Sequence, residues 1–158
     1  MLGGDDLERS KVGFAGGFVQ RAEFVQKYGQ ATSAETFVDS LLASIQQTSG
    51  VDLSNELSAL ITKYNSGPDI NQSRALVLRE AIDETAFKDA VYNSSFVMME
   101  YFGYLKRDPE KKGFDFWLNV LNNKEPNNYR SMVCAFITSA EYQKRFSPVV
   151  THSNQECR

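Results

Sequence analysis

The sequence predicts an all-α protein of tandem degenerate helical repeats packed as one compact bundle. Three observations carry that expectation. Apolar residues recur at helical spacing through most of the chain, and no alternating strand pattern runs longer than a few residues. The loops between apolar stripes are short enough for antiparallel helical neighbours. A motif also recurs: Gly17 to Gly29 (GFVQRAEFVQKYG) aligns with Ala135 to Ser147 (AFITSAEYQKRFS), matching Phe18 with Phe136, Ala22 with Ala140, Glu23 with Glu141 and Phe24 with Tyr142. A weaker copy, REAIDETAFKDAVY, sets Ile82, Thr85 and Phe87 where Ile137, Ala140 and Tyr142 fall. The repeated unit is roughly 55 to 63 residues, a length that argues for stacked supersecondary units.

The elements follow in order. The first clear helix holds Phe18, Val19 and Ala22 to Tyr28, with Gly29 placed to stop it. Thr32 and Glu35 have the spacing of a capping box for a helix whose Phe37, Val38, Leu41, Leu42 and Ile45 form one stripe, ended by Ser49-Gly50. Ser54 is a cap for the helix of Leu57, Leu60, Ile61 and Tyr64, which Asn65-Ser66-Gly67-Pro68 breaks. A longer helix after Ser73 carries Leu76, Val77, Ala81 and Ile82, and a segment around Phe87 ends near Tyr92. Phe96 to Leu105 forms the next apolar helix, which reaches Arg107, and Asp108-Pro109 starts a turn lasting to Gly113. Phe114, Trp117, Leu118 and Leu121 make a helix that Asn122-Asn123 and Pro126 end. Asn127 or Asn128 caps the helix of Met132 to Ile137, and Ser139 caps a short last one through Tyr142 and Phe146. The organisation expected is residues 1–30 as the tail of a preceding repeat, 31–94 as a degenerate repeat, 95–148 as a well-formed repeat and 149–158 as a tail. Because the chain opens in mid-repeat, it is expected to belong to a longer precursor.

Composition narrows the function classes. The 158 residues carry 17 Lys and Arg against 20 Asp and Glu, a net charge of −3 without any basic run. Binding to nucleic acid through phosphate neutralisation is therefore disfavoured. No apolar stretch approaches the roughly 20 residues that span a bilayer, so no membrane insertion is expected. Of the two cysteines, Cys134 lies in an apolar helical run where a buried free thiol is the plain reading, while Cys157 in the polar tail THSNQECR has no packing reason to be a cysteine. A Cys134–Cys157 disulfide is the alternative; it closes a loop of about 24 residues, worth roughly 3 kcal/mol, and implies an oxidising compartment.

The stretch FVMMEYFGYLKRDPEKKGFDFWLNVLN, followed by RSMVCAFITSAEY, resembles the domain-of-unknown-function family numbered 4214. The residues that carry the likeness are Phe96, Tyr101, Leu105, Arg107, Asp108, Pro109, Gly113, Phe116, Trp117, Leu121, Arg130, Phe136, Ser139, Glu141 and Tyr142. The spacing is also similar to the repeat of phycobilisome linker domains. Residues 37 to 92 match only in outline and lack the Arg-Asp-Pro turn and the Trp. The resemblance implies a secreted or surface-associated bacterial protein with an extracellular binding or structural role, and it brings no established activity.

Candidate site residues cluster in the turn KRDPEKKGFDF. Asp108, Glu110 and Asp115 offer oxygens to a hard cation such as calcium; Asp108, Glu110 and Gly113 fit positions 1, 3 and 6 of a calcium loop, but Lys112 occupies position 5. The competing reading makes Asp108 a turn cap, lets Pro109 fix its own φ, and gives Gly113 a conformation other residues would not accept. Arg107 and Arg130, with Arg74 in the place of Arg130 in the weaker repeat, are structural anchors that satisfy helix-end carbonyls or pair with carboxylates such as Glu141 or Glu100. Trp117 is core, by its helical spacing with other aromatics. The lone histidine, His152, sits in the polar tail without a triad or metal partner, and GxSxG, HExxH, CxxC and Gly-rich phosphate loops are absent from the sequence.

The function expected is a non-enzymatic interaction or scaffold module, extracellular or at the cell surface, binding a protein or glycan, able to associate with itself as a homo-oligomer, and needing no cofactor unless calcium binds the Asp108 turn. A glycan-binding module, using exposed Tyr and Phe with Asn122, Asn123, Asn127 and Asn128, is the second reading. A hydrolase using a carboxylate pair, Asp108 with Asp115 or Glu100 with Glu141, is the third.

Overall fold

The computed structural model describes residues 4–157, and these contain helices and turns but no strand. The α-helices run in the order α1 (Asp5–Phe18), α2 (Ala22–Tyr28), α3 (Ala34–Ser49), α4 (Leu57–Asn65), α5 (Ile70–Asp83), α6 (Thr85–Glu100), α7 (Lys111–Asn119), α8 (Tyr129–Ile137) and α9 (Ala140–Gln143). Short π-helical turns follow α6 at Tyr101–Leu105 and α7 at Val120–Lys124. The chain divides between Ala90 and Val91, inside α6, into two compact units. The all-α class is therefore what the molecule has.

In the first unit Phe37 is wholly buried on α3 and gathers Phe24, Tyr28 and Tyr64 around it, with ring centroids 6.2, 5.7 and 5.6 Å away. The single helix expected to hold Phe18, Val19 and Ala22 to Tyr28 is broken at residues 19–21, and the break is preceded by the unforeseen α1. Its first turn holds Asp5, Asp6 and Glu8, which suit the positive end of a helix dipole. Its buried Ala15 and the following Val19 belong to the same core as Ala75 and Val77 of α5, against which α1 packs. Helix α3 ends as expected, with Gly50 in the left-handed conformation (φ 75°). Its N-terminal cap lies one residue later than expected: the Ser33 hydroxyl accepts from the Thr36 N–H while the Thr36 hydroxyl accepts from the Ser33 N–H. Helix α5 begins before Ser73, because the Asp69 carboxylate caps it by accepting from the Gln72 N–H at 2.9 Å. Ser54 opens a 3-10 turn without a side-chain cap bond.

The expected break near Tyr92 does not occur, and α6 is continuous from Thr85 to Glu100. No Gly or Pro lies in that span, and Asn93 and Ser94 find partners without unwinding the helix. Ser94 donates back to the Val91 carbonyl at 2.9 Å, while the Asn93 side chain reaches Leu121 O and Asn122 Oδ1. The core of the second unit is Val97, Tyr101, Leu121, Met132 and Phe136, with Trp117, Phe114 and Tyr129 packed half-buried against it. Asn128 caps α8 and Ser139 caps α9, accepting from the N–H groups of Ser131 and Tyr142.

Candidate functional site: the Arg107 turn and the tail

Lys106 takes a left-handed conformation (φ 56°) where the π-turn ends, and this reversal carries Arg107 into the following turn. The Arg107 guanidinium grips Glu141 of α9 with both arms of its fork, Nε to Oε1 at 2.6 Å and Nη2 to Oε2 at 3.0 Å. Its Nη1 donates to the Glu110 carboxylate and to the Asp108 carbonyl, and the whole group lies 5.1 Å from the centroid of the Tyr101 ring. A delocalised, permanently charged fork is the residue type that such planar pairing requires. Arg107 thus joins the start of α7, the π-turn and α9. Hydrogen bonds from Arg107 hold the carboxyls of Glu141 and Glu110 below the usual carboxylate range. A depressed carboxyl pKa contributes stability that is present above the unfolded value and lost as pH falls through the folded one.

The calcium candidates are not assembled as ligands. Glu110 faces Arg107, Asp115 pairs with Lys111 at 2.6 Å, and no group of three or more potential metal-binding side chains occurs among the described residues. Asp108 is exposed. Gly113 does not hold the unusual conformation expected of it, since it lies within α7 without positive φ. Close approach explains it instead: a Cβ at this position would come within 2.2 Å of the Tyr101 hydroxyl and 2.4 Å of Glu110 Oε1. Glu110 can swing aside, but Tyr101 is only 3% exposed and cannot. Replacement of a helical Gly by Ala ordinarily gains about 1 kcal/mol. Here Gly113→Ala is expected to lose about 2 kcal/mol, as overpacking does, read by urea denaturation.

Arg130 does not serve as an anchor. It is exposed, and no hydrogen bond or ion pair to it occurs among the described residues; it lines a polar cleft of about 410 Å³ with Glu125, Glu156 and Cys157. The anchoring role falls to Arg74, 4% exposed, whose Nη2 donates to the carbonyls of Tyr28 and Ala31 at 3.1 and 2.9 Å. Trp117 is half-buried, 5.7 Å from the Phe136 ring, while its neighbour Phe116 is exposed.

Of the carboxylate pairs, Glu141 is engaged by Arg107 and Asp115 by Lys111. Glu100 is different: burial pushes its carboxyl up, and its Oε2 has no hydrogen-bond partner. An acid with a raised folded pKa loses stability as pH rises from its unfolded value through its folded one. Glu100→Gln is therefore expected to stabilise the protein by about 1 kcal/mol at neutral pH. The gain should vanish below the ordinary carboxylate range, where Glu100 is itself protonated; thermal melts at the two pH values check it.

The tail is tied down twice. Cys134 of α8 and Cys157 are joined by a disulfide, with Cα atoms 5.6 Å apart. The Gln143 side chain, which sequence reasoning passed over, uses its full amide capacity. Its Nε2 donates to the carbonyls of Thr138 and His152 at 2.7 and 2.9 Å, and its Oε1 accepts from the N–H groups of Thr151 and His152 at 2.8 and 3.0 Å. His152 pairs with Glu156 at 2.8 Å. A second polar network, also unforeseen in its centre, joins Asn93, Asn122, Asn127 and the Tyr129 hydroxyl beside the half-exposed Tyr92.

An all-α domain with an arginine-clamped turn and a closing Ser-x-Glu-Tyr helix is the class that these features define. Residues 79–146 match the model of a family described as a domain of unknown function (DUF4214). The match reaches back past Phe96, through all of α6, to Arg79 in α5. No curated protein and no solved structure matches the chain.

Proposed function

We propose that the chain is a non-enzymatic interaction or scaffold module that works outside the cell or at its surface. The observation that carries this reading is the Cys134–Cys157 disulfide, because such bonds persist in oxidising compartments. Exposed apolar side chains support the binding half: Phe14, Met99 and Phe146 are 63%, 63% and 74% exposed. In source cells, a membrane-impermeant thiol label applied after mild reduction should mark both cysteines. Cysteines already free in the native protein, or labelled only after lysis, would refute the location.

A glycan ligand is the second reading, favoured by the amides of Asn93, Asn122 and Asn127 next to the exposed Tyr92 ring. Aromatic faces beside planar polar groups suit sugar rings. A glycan array on which Tyr92→Ala binds as strongly as the unaltered chain, or on which neither binds, would remove it.

A further inference from the structure

Residues 144–150, KRFSPVV, form a loop that is closed at its base by the Gln143 amide. Phe146, Val149 and Val150 are exposed on it by 74%, 63% and 41%, the loop holds no acid, and Lys144 and Arg145 precede its apolar residues. A loop pinned in this way has already lost much of the entropy that binding would cost. The first unit offers the complement. A groove of about 480 Å³ between α1 and α5 is lined by Ser10, Phe14, Ala15, Leu78 and Ile82. Its charged members are neutralised in place, Lys11 and Arg79 by Glu8 and Arg79 again by Asp83.

Charge favours the same match. Glu8 of α1 meets Arg79 of α5, whereas Ala15 and Gly16 lie by Gln72 and Ala75, so the two helices are antiparallel. That direction brings Asp5 and Asp6 of α1 to the end of α5 that carries Asp83 and Glu84, and these four acids with Glu8 outnumber the neighbouring Arg9, Lys11 and Arg79. Residues 1–90 carry 13 acids and 8 bases, whereas residues 91–158 carry 7 acids and 9 bases.

We infer that the Phe146 loop of one copy docks into the α1–α5 groove of a second copy, with Lys144 and Arg145 at its acidic end. This rests on the reading of the chain as an interaction module and names the partner as the chain itself. The contact is heterologous, so each copy keeps one free loop and one free groove, and assembly is open-ended unless the rotation closes a ring.

Light scattering on the full chain should show a mass that grows with concentration and shrinks with added salt. The loop variant Phe146→Asp and the groove variant Phe14→Arg should each weaken association at least tenfold. Mixed one to one, they should recover a single dimer and nothing larger, because only one good loop and one good groove remain. Ser10→Trp, which fills the groove from an exposed position, repeats the groove test with another side chain, and circular dichroism checks that all variants are folded. Association unchanged in both classes of variant, or variants that stay apart on mixing, would overturn the docking. A wild-type chain that stays monomeric at every concentration would also overturn it, while leaving the surface-module reading to the labelling experiment.

Discussion

Arg74→Ala is expected to destabilise the protein by about 4 kcal/mol, because two charge-assisted hydrogen bonds are lost and the Ala31 carbonyl is left unpaired, while Tyr28 O keeps the Ala31 N–H. The side chain is 4% exposed and lies 5.5 Å from the centre of the Phe37 ring, so water has little access to replace what is removed. Its two acceptors, Tyr28 O and Ala31 O, are the last carbonyl of α2 and one in the link to α3. A helix end leaves such carbonyls short of partners, and here only Tyr28 O has a backbone donor, the Ala31 N–H at 3.1 Å. Arg74 therefore fixes how α2 turns into α3, and the loss should appear as a melting temperature lower by about 10 °C. Arg74→Lys should fall between, since an ammonium reaches one carbonyl as a point charge but cannot fork to both. Arg74→Met separates the effects: it keeps much of the volume under Phe37, so a cost as large as that of Ala assigns the energy to the hydrogen bonds. An unchanged melting temperature in Arg74→Ala would show that the carbonyls are solvated some other way.

Arg74 and Arg130 also show where the sequence stops being readable. They occupy like positions in the recurring sequence pattern, yet one is buried under an aromatic ring and the other lies on the rim of a cleft. Nothing within a few residues of either distinguishes them, because the difference comes from Phe37 and from the α2 carbonyls, far away in the chain. Features set by local geometry were legible. Gly50, Asn128 and Ser139 act at their own helix ends, where a hydroxyl, an amide or a missing Cβ suffices. The cap at Ser33 was misplaced by one residue because Thr32 and Ser33 are adjacent and chemically alike. Helix α1 escaped notice because Gly13, Gly16 and Gly17 lower its propensity; its place is earned by Ala15 and Val19 in the shared core with α5. In the candidate site, Glu141 was legible as a carboxylate partner for an arginine. The role of Gly113 was not, since the reason for it is the hydroxyl of Tyr101.

Removing the disulfide as Cys134→Ala with Cys157→Ser is expected to cost about 3 kcal/mol, because the unfolded chain regains the freedom of a 24-residue loop. Reducing agent added to the unaltered protein should cost about the same, and both should appear as an earlier denaturation midpoint with an otherwise similar curve. The tail need not leave with the bond. Gln143 still holds the backbone at Thr151 and His152, and the Thr138 hydroxyl still reaches Asn154 Oδ1 at 2.9 Å. The two anchors hold one segment, so their contributions should not add. With the disulfide intact, Gln143→Ala leaves the tail tethered and should cost less than 1 kcal/mol, the net worth of hydrogen bonds that water can replace. Without the disulfide the same change frees the segment, and Thr151 and His152 should lose their protection from hydrogen exchange. The coupling is read by a double-mutant cycle. Strict additivity would mean that the anchors act on separate parts of the tail, and that Gln143 alone does not pin the loop bearing Phe146.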